Sequence, residues 1–412
     1  MNLSTKKCYP WLVVALLWVV ALLNYMDRQM LSTMQGAMQA DIHELNRAEA
    51  FGALMAVFLW IYGLVSPFAG MVADRFSKKR LVVGSLFVWS AVTFLMGYAS
   101  SFQQLYILRA LMGISEALYI PSALSLIADW HGDKTRSLAV GIHMTGLYVG
   151  QALGGFGATV AALHSWHATF HSFGIIGIAY SLILIWLLHD APTREPRQEA
   201  EDRHSSRNPF RGVAVVLSTC SFWVLLVYFA APSLPGWATK NWLPTLFATN
   251  LNIPMSQAGP LSTFTIALSS FIGVIAGGVL SDRWVQRNVR GRIYTSAIGL
   301  GLTIPALVLL GFGHHLVAVV AAGLFFGIGY GMFDCNNMPI LCQIVSARHR
   351  ATAYGLLNMV GVFAGAAVTQ HLGKWTDSGH LGHGFALLAG VVLVAVALQL
   401  FCLKPKSDYA EQ

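Results

Sequence analysis

The sequence predicts an all-helical integral membrane protein with twelve transmembrane helices in two pseudo-symmetric six-helix bundles. The composition, the number of long apolar stretches and the placement of the basic residues lead to this prediction. Of 412 residues, 56% are hydrophobic and 11% are charged, and the mean hydropathy is +0.59. Soluble domains carry roughly 25% charged residues, so this chain has too little charge to cover a water-facing surface. The composition therefore excludes an ordinary soluble enzyme, a nucleic-acid-binding domain and a disordered chain.

Twelve apolar stretches account for most of the chain. A transmembrane helix needs about 20 mostly apolar residues, and each stretch supplies them. Their approximate cores are 11–33, 50–73, 81–99, 103–128, 137–161, 168–188, 213–247, 258–280, 293–312, 316–345, 351–373 and 384–403. The first stretch follows two lysines, as in a signal peptide, but it is too long for the apolar region of one and lacks a small-residue cleavage site. We therefore expect it to remain as the first transmembrane helix.

The basic residues predict the orientation of these helices. Lys and Arg are enriched in the cytoplasmic loops of membrane proteins, and most of the 26 basic residues fall on one side if the N-terminus is cytoplasmic. Arg47, Lys240 and Lys374 are assigned to the outer side, whereas Arg28 and Arg109 lie inside predicted helices. Both termini are therefore expected in the cytoplasm, which requires an even number of helices.

A polar segment divides the chain into two halves. Residues 190–211 contain three prolines and charges of both signs, which is typical of a solvated linker. We expect an N-terminal six-helix bundle over 1–190, a cytoplasmic linker over 191–211 and a C-terminal six-helix bundle over 212–412. A basic run can bind nucleic acid, but the interleaved acids and the flanking membrane helices favour the linker.

A short motif occurs once in each half. It follows the second predicted helix and the eighth, and its two copies are separated by nearly half the chain length. The copies are Gly70, Asp74 and Arg75, and Gly278, Asp282 and Arg283. A repeat at this offset indicates tandem duplication of a six-helix unit. Parallel repeats of this kind place a binding site between the two halves, near the middle of the membrane.

Three segments carry a resemblance to known families. GMVADRFSKKR at 70–80 resembles the loop between helices 2 and 3 of the major facilitator superfamily. Asn24-Tyr-Met-Asp-Arg28 and Arg109-x-x-x-Gly-x-x-Glu-Ala117 are similar to motifs of its anion:cation symporter family. That resemblance implies transport of sugar acids, sialic acid, phosphate or organic carboxylates. The first of these two motifs and a Glu-Ala-x-Tyr pattern at 116–119 also resemble the spinster family of lysolipid and sphingolipid transporters.

The resemblance also implies a gating role for the repeated motif. Asp74 is expected to cap the N-terminus of a neighbouring helix, where the helix dipole favours a carboxylate, and loss of that contact would favour the inward-facing state. Gly70 and Arg75 belong to the same candidate gate, and the second copy of the motif forms its counterpart. The alternative is that these charges merely follow the positive-inside rule.

Five ionisable residues lie well inside predicted helices. They are Asp27, Arg28, Arg109, Glu116 and Asp334. Each costs roughly 2.5–3.5 kcal/mol at the bilayer centre on insertion scales. Groups with this cost must be paired, hydrated or functional.

Arg109 and Glu116 share one face of the fourth helix. Seven residues separate them, which corresponds to about 10 Å along the helix axis. We expect Arg109 to hold an anionic substrate and Glu116 to carry the coupled proton. The alternative is a permanent Arg–Glu bridge that stabilises the fold.

Asp27 and Arg28 are adjacent in the first helix, so they point about 100° apart. Arg28 is a second candidate for binding a carboxylate or phosphate, because guanidinium suits bidentate oxyanion binding. Asp27 is expected either to carry a proton or to orient Arg28. A purely structural pair is the alternative.

Further candidates for substrate contact are polar groups in four helices. Asp334, Asn336 and Asn337 fall within one turn, where donors and acceptors together suit sugar hydroxyls; a structural amide cluster is the alternative. Tyr25, Tyr119, Tyr148 and Gln151 are weaker candidates, because lone aromatic or amide groups in membrane helices more often serve packing.

No enzymatic or cofactor motif is present in the sequence. It contains no G-x-x-x-x-G-K-[ST], G-x-S-x-G or H-E-x-x-H pattern, and its five cysteines form no C-x-x-C pair. We therefore expect neither an enzyme nor a resident cofactor or metal.

These observations predict proton-coupled symport of a small organic anion by alternating access, with a sugar acid or related carboxylate favoured by the resemblance. A spinster-like lysolipid transporter and a membrane sensor that binds a small anion without transporting it stay open, as does sodium as the coupled ion. The expected partners are the anion, protons and the lipid bilayer. Short loops and termini predict a bacterial inner membrane. We expect the protein to be a monomer.

Overall fold

A computed structural model describes residues 8–131, 133–191, 217–218, 220–345, 350–403 and 405. The regular elements in these ranges are all helices. Numbered by membrane crossing, they are α1 (Tyr9–Leu31), α2 (Ala48–Arg75), α3 (Lys78–Met96), α4 (Phe102–Ala117 and Tyr119–Trp130), α5 (Asp133–Gly154 and Gly157–Leu163), α6 (Trp166–Leu187), α7 (Cys220–Leu251), α8 (Met255–Val285), α9 (Gly291–Phe312), α10 (Leu316–Asp334 and Asn337–Ile344), α11 (Arg350–Asp377) and α12 (Leu381–Cys402). A short helix, Gln35–Met38, and a 3-10 helix, His43–Asn46, connect α1 to α2.

The predicted all-helical membrane fold is confirmed. Eleven of these crossings are long and apolar enough to span a membrane, and the two segments of α5, which meet at a bend of 43°, complete a twelfth. The predicted linker falls largely outside the described residues, from 192 to 211. The domain boundaries that it defines therefore stay a prediction.

Two of the helices are interrupted beside an acidic residue. The first segment of α4 ends at Ala117, directly after Glu116, and the first segment of α10 ends at Asp334. Since α4 and α10 are the fourth helices of their halves, the interruptions occupy equivalent places in the predicted repeat. Irregular backbone at membrane depth is tolerated where it is buried in protein or lines a cavity. The breaks therefore mark the region where a binding site is expected.

A row of glycines brings α5 against α1. Gly146, Gly150 and Gly154 are spaced four apart, so they lie on one face of α5. A Cβ at Gly150 would contact the carbonyl oxygen of Leu22 in α1, and a Cβ at Gly154 would lie 2.7 Å from that of Met26. Small residues at such crossings allow backbones to approach closely. This packing fixes the position of α1, which carries Arg28.

Helix α2 of the N-terminal half packs against α11 of the C-terminal half. The carboxylate of Asp377 at the end of α11 accepts hydrogen bonds from the backbone N–H groups of Ala48, at 2.6 Å, and Glu49, at 2.8 Å. These groups belong to the first turn of α2, where N–H groups have no partner within the helix. We call this side of the molecule, which the basic residues predict to face away from the cytoplasm, the outer side.

Further contacts between the halves lie on the same side. Gln29 Nε2 in α1 donates to the carbonyl oxygen of Lys240 in α7 at 2.8 Å, and Thr159 Oγ1 in α5 donates to that of Ser256 in α8 at 2.7 Å. The halves are therefore joined through hydrogen bonds at their outer ends.

Candidate functional site

An ion pair between α1 and α4 forms the centre of the candidate site. Arg28 Nε donates to Glu116 Oε2 at 2.5 Å, and Asn24 Nδ2 donates to the same oxygen at 2.9 Å. The Glu116 side chain is fully buried and that of Arg28 is 12% exposed. Among the described residues, neither Arg28 Nη2 nor Glu116 Oε1 has a hydrogen-bond partner. The cluster therefore retains one unused donor and one unused acceptor inside the protein.

Glu116 is paired with Arg28 and makes no ion pair with Arg109, so the structure does not contain the Arg–Glu bridge within α4 that was the alternative to a functional role. Arg109 is buried, and its Nη1 contacts Met112 Sδ at 3.0 Å, while its Nε has no partner within the described part of the chain. Its charge acts on Glu116 from a distance. Arg109 and Glu116 share a helix face, but their backbones lie about 10 Å apart along the axis of α4. Helix α1 passes next to Glu116, so Arg28 of α1 can reach its carboxylate.

Aromatic rings enclose both guanidinium groups. Arg28 Cζ lies 4.8 Å from the ring centroids of Phe58 and Tyr62 and 5.2 Å from that of Tyr25. Arg109 Cζ lies 4.8 Å from the same Phe58 ring. Such cation–π contacts favour a positive charge held away from water. Sequence reasoning missed Phe58 and Tyr62, because aromatic residues in a membrane helix carry no signal that separates packing from a cation contact.

Asp27 lies beside this cluster but points elsewhere, as expected for the neighbour of Arg28. It is buried, and Thr93 Oγ1 of α3 donates to its Oδ2 at 3.4 Å. The charges of Glu116 and Arg109 act on it. Asp27 is thus a buried carboxyl group with one weak hydrogen bond, close to a second carboxyl group.

Asp334 and its neighbours form the polar part of the opposite half. Asp334 is exposed although it lies within a membrane crossing, and its Oδ1 accepts from Asn337 Nδ2 at 3.2 Å. Asn337 Oδ1 accepts from Tyr228 Oη at 3.2 Å, and Tyr228 in turn bonds Ser296 Oγ at 2.9 Å. These hydrogen bonds hold the Asn337 side chain inside the helix bundle. Asp334, at the other end of the same network, is the residue whose side chain is exposed.

Asn336 is directed into its own helix. Its Nδ2 donates to the carbonyl oxygen of Met332 at 2.8 Å, and its Oδ1 is buried without a partner among the described residues. The amide nitrogen of Asn336 is therefore used within α10, and only its amide oxygen is free to accept a hydrogen bond from another group.

Lys240 lies inside α7, and its side chain faces the region between the two halves. The α7 helix continues to Leu251, so Lys240 lies well inside it. Its Nζ is 4.7 Å from the ring centroid of Trp237 and 5.9 Å from that of Tyr25 in the other half. It also interacts electrostatically with Asp334. Tyr25, Arg28, Lys240 and Asp334 thus form one charged surface across the two halves.

The remaining predicted contact residues fall into two groups. Tyr119 is fully buried, and its hydroxyl donates to the carbonyl oxygen of Leu17 at 2.9 Å, so the structure places it in the N-terminal core, away from the charged surface. Tyr148 is half-buried, and its ring contacts Phe271 of α8 at 6.5 Å. Asp334 acts on Tyr148 electrostatically, and Gln151, one turn further along α5, is buried.

The predicted gating residues can be located in the second half only. Gly278 faces open space, and Asp282 is exposed and forms an ion pair with Arg292 at 3.6 Å. Arg283 follows in the last turn of α8. The side chains of Gly70, Asp74 and Arg75 lie outside the described part of the structure, so the expected helix cap at Asp74 stays a prediction.

The described residues contain no group of three or more His, Cys, Asp or Glu side chains that could hold a metal ion. The arrangement instead offers buried cations and carboxyl groups around aromatic rings. Groups of this kind inside a membrane are suited to binding an anion and to exchanging protons.

Sequence comparison places these features in a known group. The family model of the Major Facilitator Superfamily matches residues 17–369. The chain is 26% identical to a chloroplast protein of Arabidopsis thaliana named sodium-dependent phosphate transport protein 1, over 94% of this chain and 78% of that one. It is 25% identical to a probable galactarate/D-glucarate transporter of Escherichia coli K12, over 95% and 94% of the two chains. It is 26% identical to a D-galactonate transporter of Escherichia coli O6:H1, over 94% and 93%.

A similar fold has been solved experimentally. The crystal structure of a bacterial homologue of the human lysosomal transporter Spinster, in an inward-facing and occupied conformation, matches with a TM-score of 0.79 and 20% identity. The match covers 96% of this chain and 97% of that one. At this identity, the likeness establishes the shared fold and leaves the substrate open.

Proposed function

The chain belongs to the major facilitator superfamily, whose members are membrane transporters, and we propose that it is a proton-coupled symporter of a small organic anion, with sugar acids as the favoured class. The observation that supports this proposal most strongly is the Arg28–Glu116 pair. It combines a cation that has a free donor with a carboxyl group that can take up a proton. The sugar-acid class is supported by the names of the two Escherichia coli relatives.

The pairing suggests how anion and proton are coupled. The free Nη2 of Arg28 is available to a substrate carboxylate, and guanidinium binds carboxylates best through two parallel hydrogen bonds. An anion that takes both donors must compete with Glu116 for Arg28. Glu116, deprived of its partner in a buried site, then gains from binding a proton. One anion and one proton therefore enter the site together.

Two more ionisable groups complete the proposed machinery. Asp27 is a second buried carboxyl group that can exchange a proton, and Arg109 keeps the site positive while Glu116 or Asp27 is protonated. Arg109 is less accessible than Arg28, so we assign direct contact with the substrate to Arg28 first. Tyr25 and Tyr148 on one side and Asp334 on the other would contact the hydroxyl groups of the substrate.

Alternating access is supported by the contacts that join the two halves on the outer side. Asp377 joins α11 to α2 on the outer side, and Thr159 joins α5 to α8 there. Breaking these contacts while forming others on the opposite side would expose the site to the outside. We propose that the candidate gate at Gly70, Asp74 and Arg75 and at Gly278, Asp282 and Arg283 closes the cytoplasmic side in that state.

The setting of the protein is part of the proposal. We propose a monomer with halves at 1–190 and 212–412, both termini in the cytoplasm, in the inner membrane of a bacterium. Reporter fusions at the two ends test the orientation: a periplasm-active phosphatase should stay inactive on both, whereas activity on either end would contradict it.

A panel of solutes in proteoliposomes tests the proposed function. Purified protein is reconstituted with an internal pH-sensitive dye, and D-gluconate, D-glucarate, lactate, phosphate, glucose and lysophosphatidylcholine are added in turn. We expect proton uptake with at least one organic anion and none with glucose. Movement of the lysolipid alone would support a spinster-like function. Binding of an anion without flux in folded protein would support a sensor.

A further inference from the structure

A second cation faces the Arg28 cluster from the other half of the protein. Arg28 Cζ and Lys240 Nζ lie 5.2 and 5.9 Å from the centroid of the same ring, that of Tyr25. Arg28 belongs to α1 and Lys240 to α7, so the two charges approach one ring from opposite halves. A single small molecule beside Tyr25 can therefore contact both.

Both cations have unused hydrogen-bonding capacity. Lys240 Nζ makes no hydrogen bond or ion pair with any other described residue; its neighbours are the rings of Trp237 and Tyr25. The nearby carboxyl group of Asp334 acts on Lys240 electrostatically without a hydrogen bond to it, and accepts a hydrogen bond from Asn337. An ammonium group has three donors, so Lys240 has three unfilled hydrogen bonds, and Arg28 has a free donor at Nη2.

We propose that Lys240 selects substrates with two acidic ends, so that one carboxylate binds Arg28 in the N-terminal half and the other binds Lys240 in the C-terminal half. This inference rests on the proposed function and narrows its substrate class to sugar diacids. Sequence similarity does not make this choice, since the chain is equally distant from a galactarate/D-glucarate transporter and from a D-galactonate transporter.

The charges of the site suit a diacid. Around Arg28, two cations face two carboxyl groups, Asp27 and Glu116, so one bound proton leaves one positive charge for one carboxylate. Lys240 supplies the second positive charge once Asp334, which acts on it electrostatically, has also bound a proton, so a diacid would enter together with two protons. A protonated Asp334 can still share a hydrogen bond with a hydroxyl group between the two ends. A substrate that spans the halves also draws them together, which links its binding to the conformational cycle.

The test uses a matched pair of ligands. D-Glucarate and D-gluconate have the same six-carbon chain and differ only at carbon 6, which is a carboxylate in the first and a hydroxymethyl group in the second. Dissociation constants are measured on purified wild type, Lys240→Met and Lys240→Arg. Lys79→Met, at the cytoplasmic start of α3, serves as a control for loss of a lysine elsewhere.

The wild type is expected to bind D-glucarate at least about tenfold more tightly than D-gluconate, as is typical for one charge-assisted contact. Lys240→Met should abolish this preference through weaker D-glucarate binding, while Lys240→Arg and Lys79→Met should retain it. Wild type that binds both acids equally, or Lys240→Met that keeps the preference, would overturn the inference and leave the proposed function intact. Wild type that binds D-gluconate or lactate but no diacid would also overturn the inference and leave the proposed function intact. Absence of binding to every organic anion in the panel would overturn the proposed function itself.

Discussion

Glu116 in α4 is held by Arg28 of α1, with Nε and Oε2 2.5 Å apart, and makes no ion pair with Arg109 of its own helix. The pair therefore bears on the packing of two helices as well as on the charge of the site. Because the pair joins two helices of one bundle, a substrate that draws Arg28 away from Glu116 loosens a contact between α1 and α4. In the proposed mechanism, this one hydrogen-bonded oxygen would connect anion binding, protonation and helix movement.

The glycine row of α5 makes a specific prediction for stability. Gly150→Ala places a methyl group against the carbonyl oxygen of Leu22 and should destabilise the protein by about 1–3 kcal/mol, since overpacking has this typical cost. Gly141→Ala in the same helix meets open space and should be neutral or stabilising by up to about 1 kcal/mol. Thermal unfolding in detergent compares the two, and equal melting temperatures would contradict the close packing of α1 and α5.

Tyr119 provides a test of its placement in the core. Tyr119→Phe removes the hydrogen bond to the carbonyl oxygen of Leu17 and should lower stability by about 0.5–1.5 kcal/mol. The dissociation constant for a transported anion should stay unchanged, because the hydroxyl does not reach the charged surface. Calorimetric or fluorescence titration measures it, with Arg28→Gln as the variant that should lose binding. A tenfold loss of affinity for the anion in Tyr119→Phe would show that the Tyr119 hydroxyl contributes to substrate binding.

The cap between Asp377 and α2 predicts a shift between conformations. Asp377→Ala leaves the N–H groups of Ala48 and Glu49 without their acceptor, and the loss of such a cap typically costs about 0.5–2 kcal/mol. The halves should therefore separate more often on the outer side. Spin labels are attached at positions 44 and 380 of a chain without native cysteines, in place of Glu44 and His380. The distribution of distances between the two labels should then contain a larger fraction of long distances.

The matched control for that experiment is Ser378→Ala, because Ser378 bonds only within its own helix end, to the carbonyl oxygen of Trp375. It should leave the distance distribution as in the wild type. An unchanged distribution in Asp377→Ala would show that this contact does not hold the outer side closed.

The sequence predicted the membrane crossings well, because apolar length and the placement of basic residues report directly on the bilayer. It also identified Arg28, Glu116 and Asp334 as groups that need a partner or a role, since an isolated charge is costly there. The interruption of α4 after Glu116 was not predicted, although Pro121, in the first turn of the second segment, has no N–H to donate to the carbonyl oxygen of Ala117.

Partner choice could not be predicted from one sequence. The Arg28–Glu116 pair depends on how α1 crosses α4, and helix periodicity describes only residues of the same helix. Lys240 lies within the predicted stretch 213–247, and the count of basic residues placed it on or near the outer side. The helix continues through Pro235 and Pro244, as membrane helices often do when neighbours satisfy the freed backbone groups.

The most direct test of the central claim compares proton uptake in wild type and Glu116→Gln proteoliposomes, with Glu44→Gln, an exposed residue between α1 and α2, as the control. Glutamine preserves shape and hydrogen bonding but cannot take up the proton. We expect the variant to exchange labelled substrate for unlabelled substrate at a rate close to that of wild type, while substrate-driven proton uptake and accumulation against a gradient are lost. A Glu116→Gln protein that still takes up protons and accumulates substrate would contradict the assignment of coupling to Glu116.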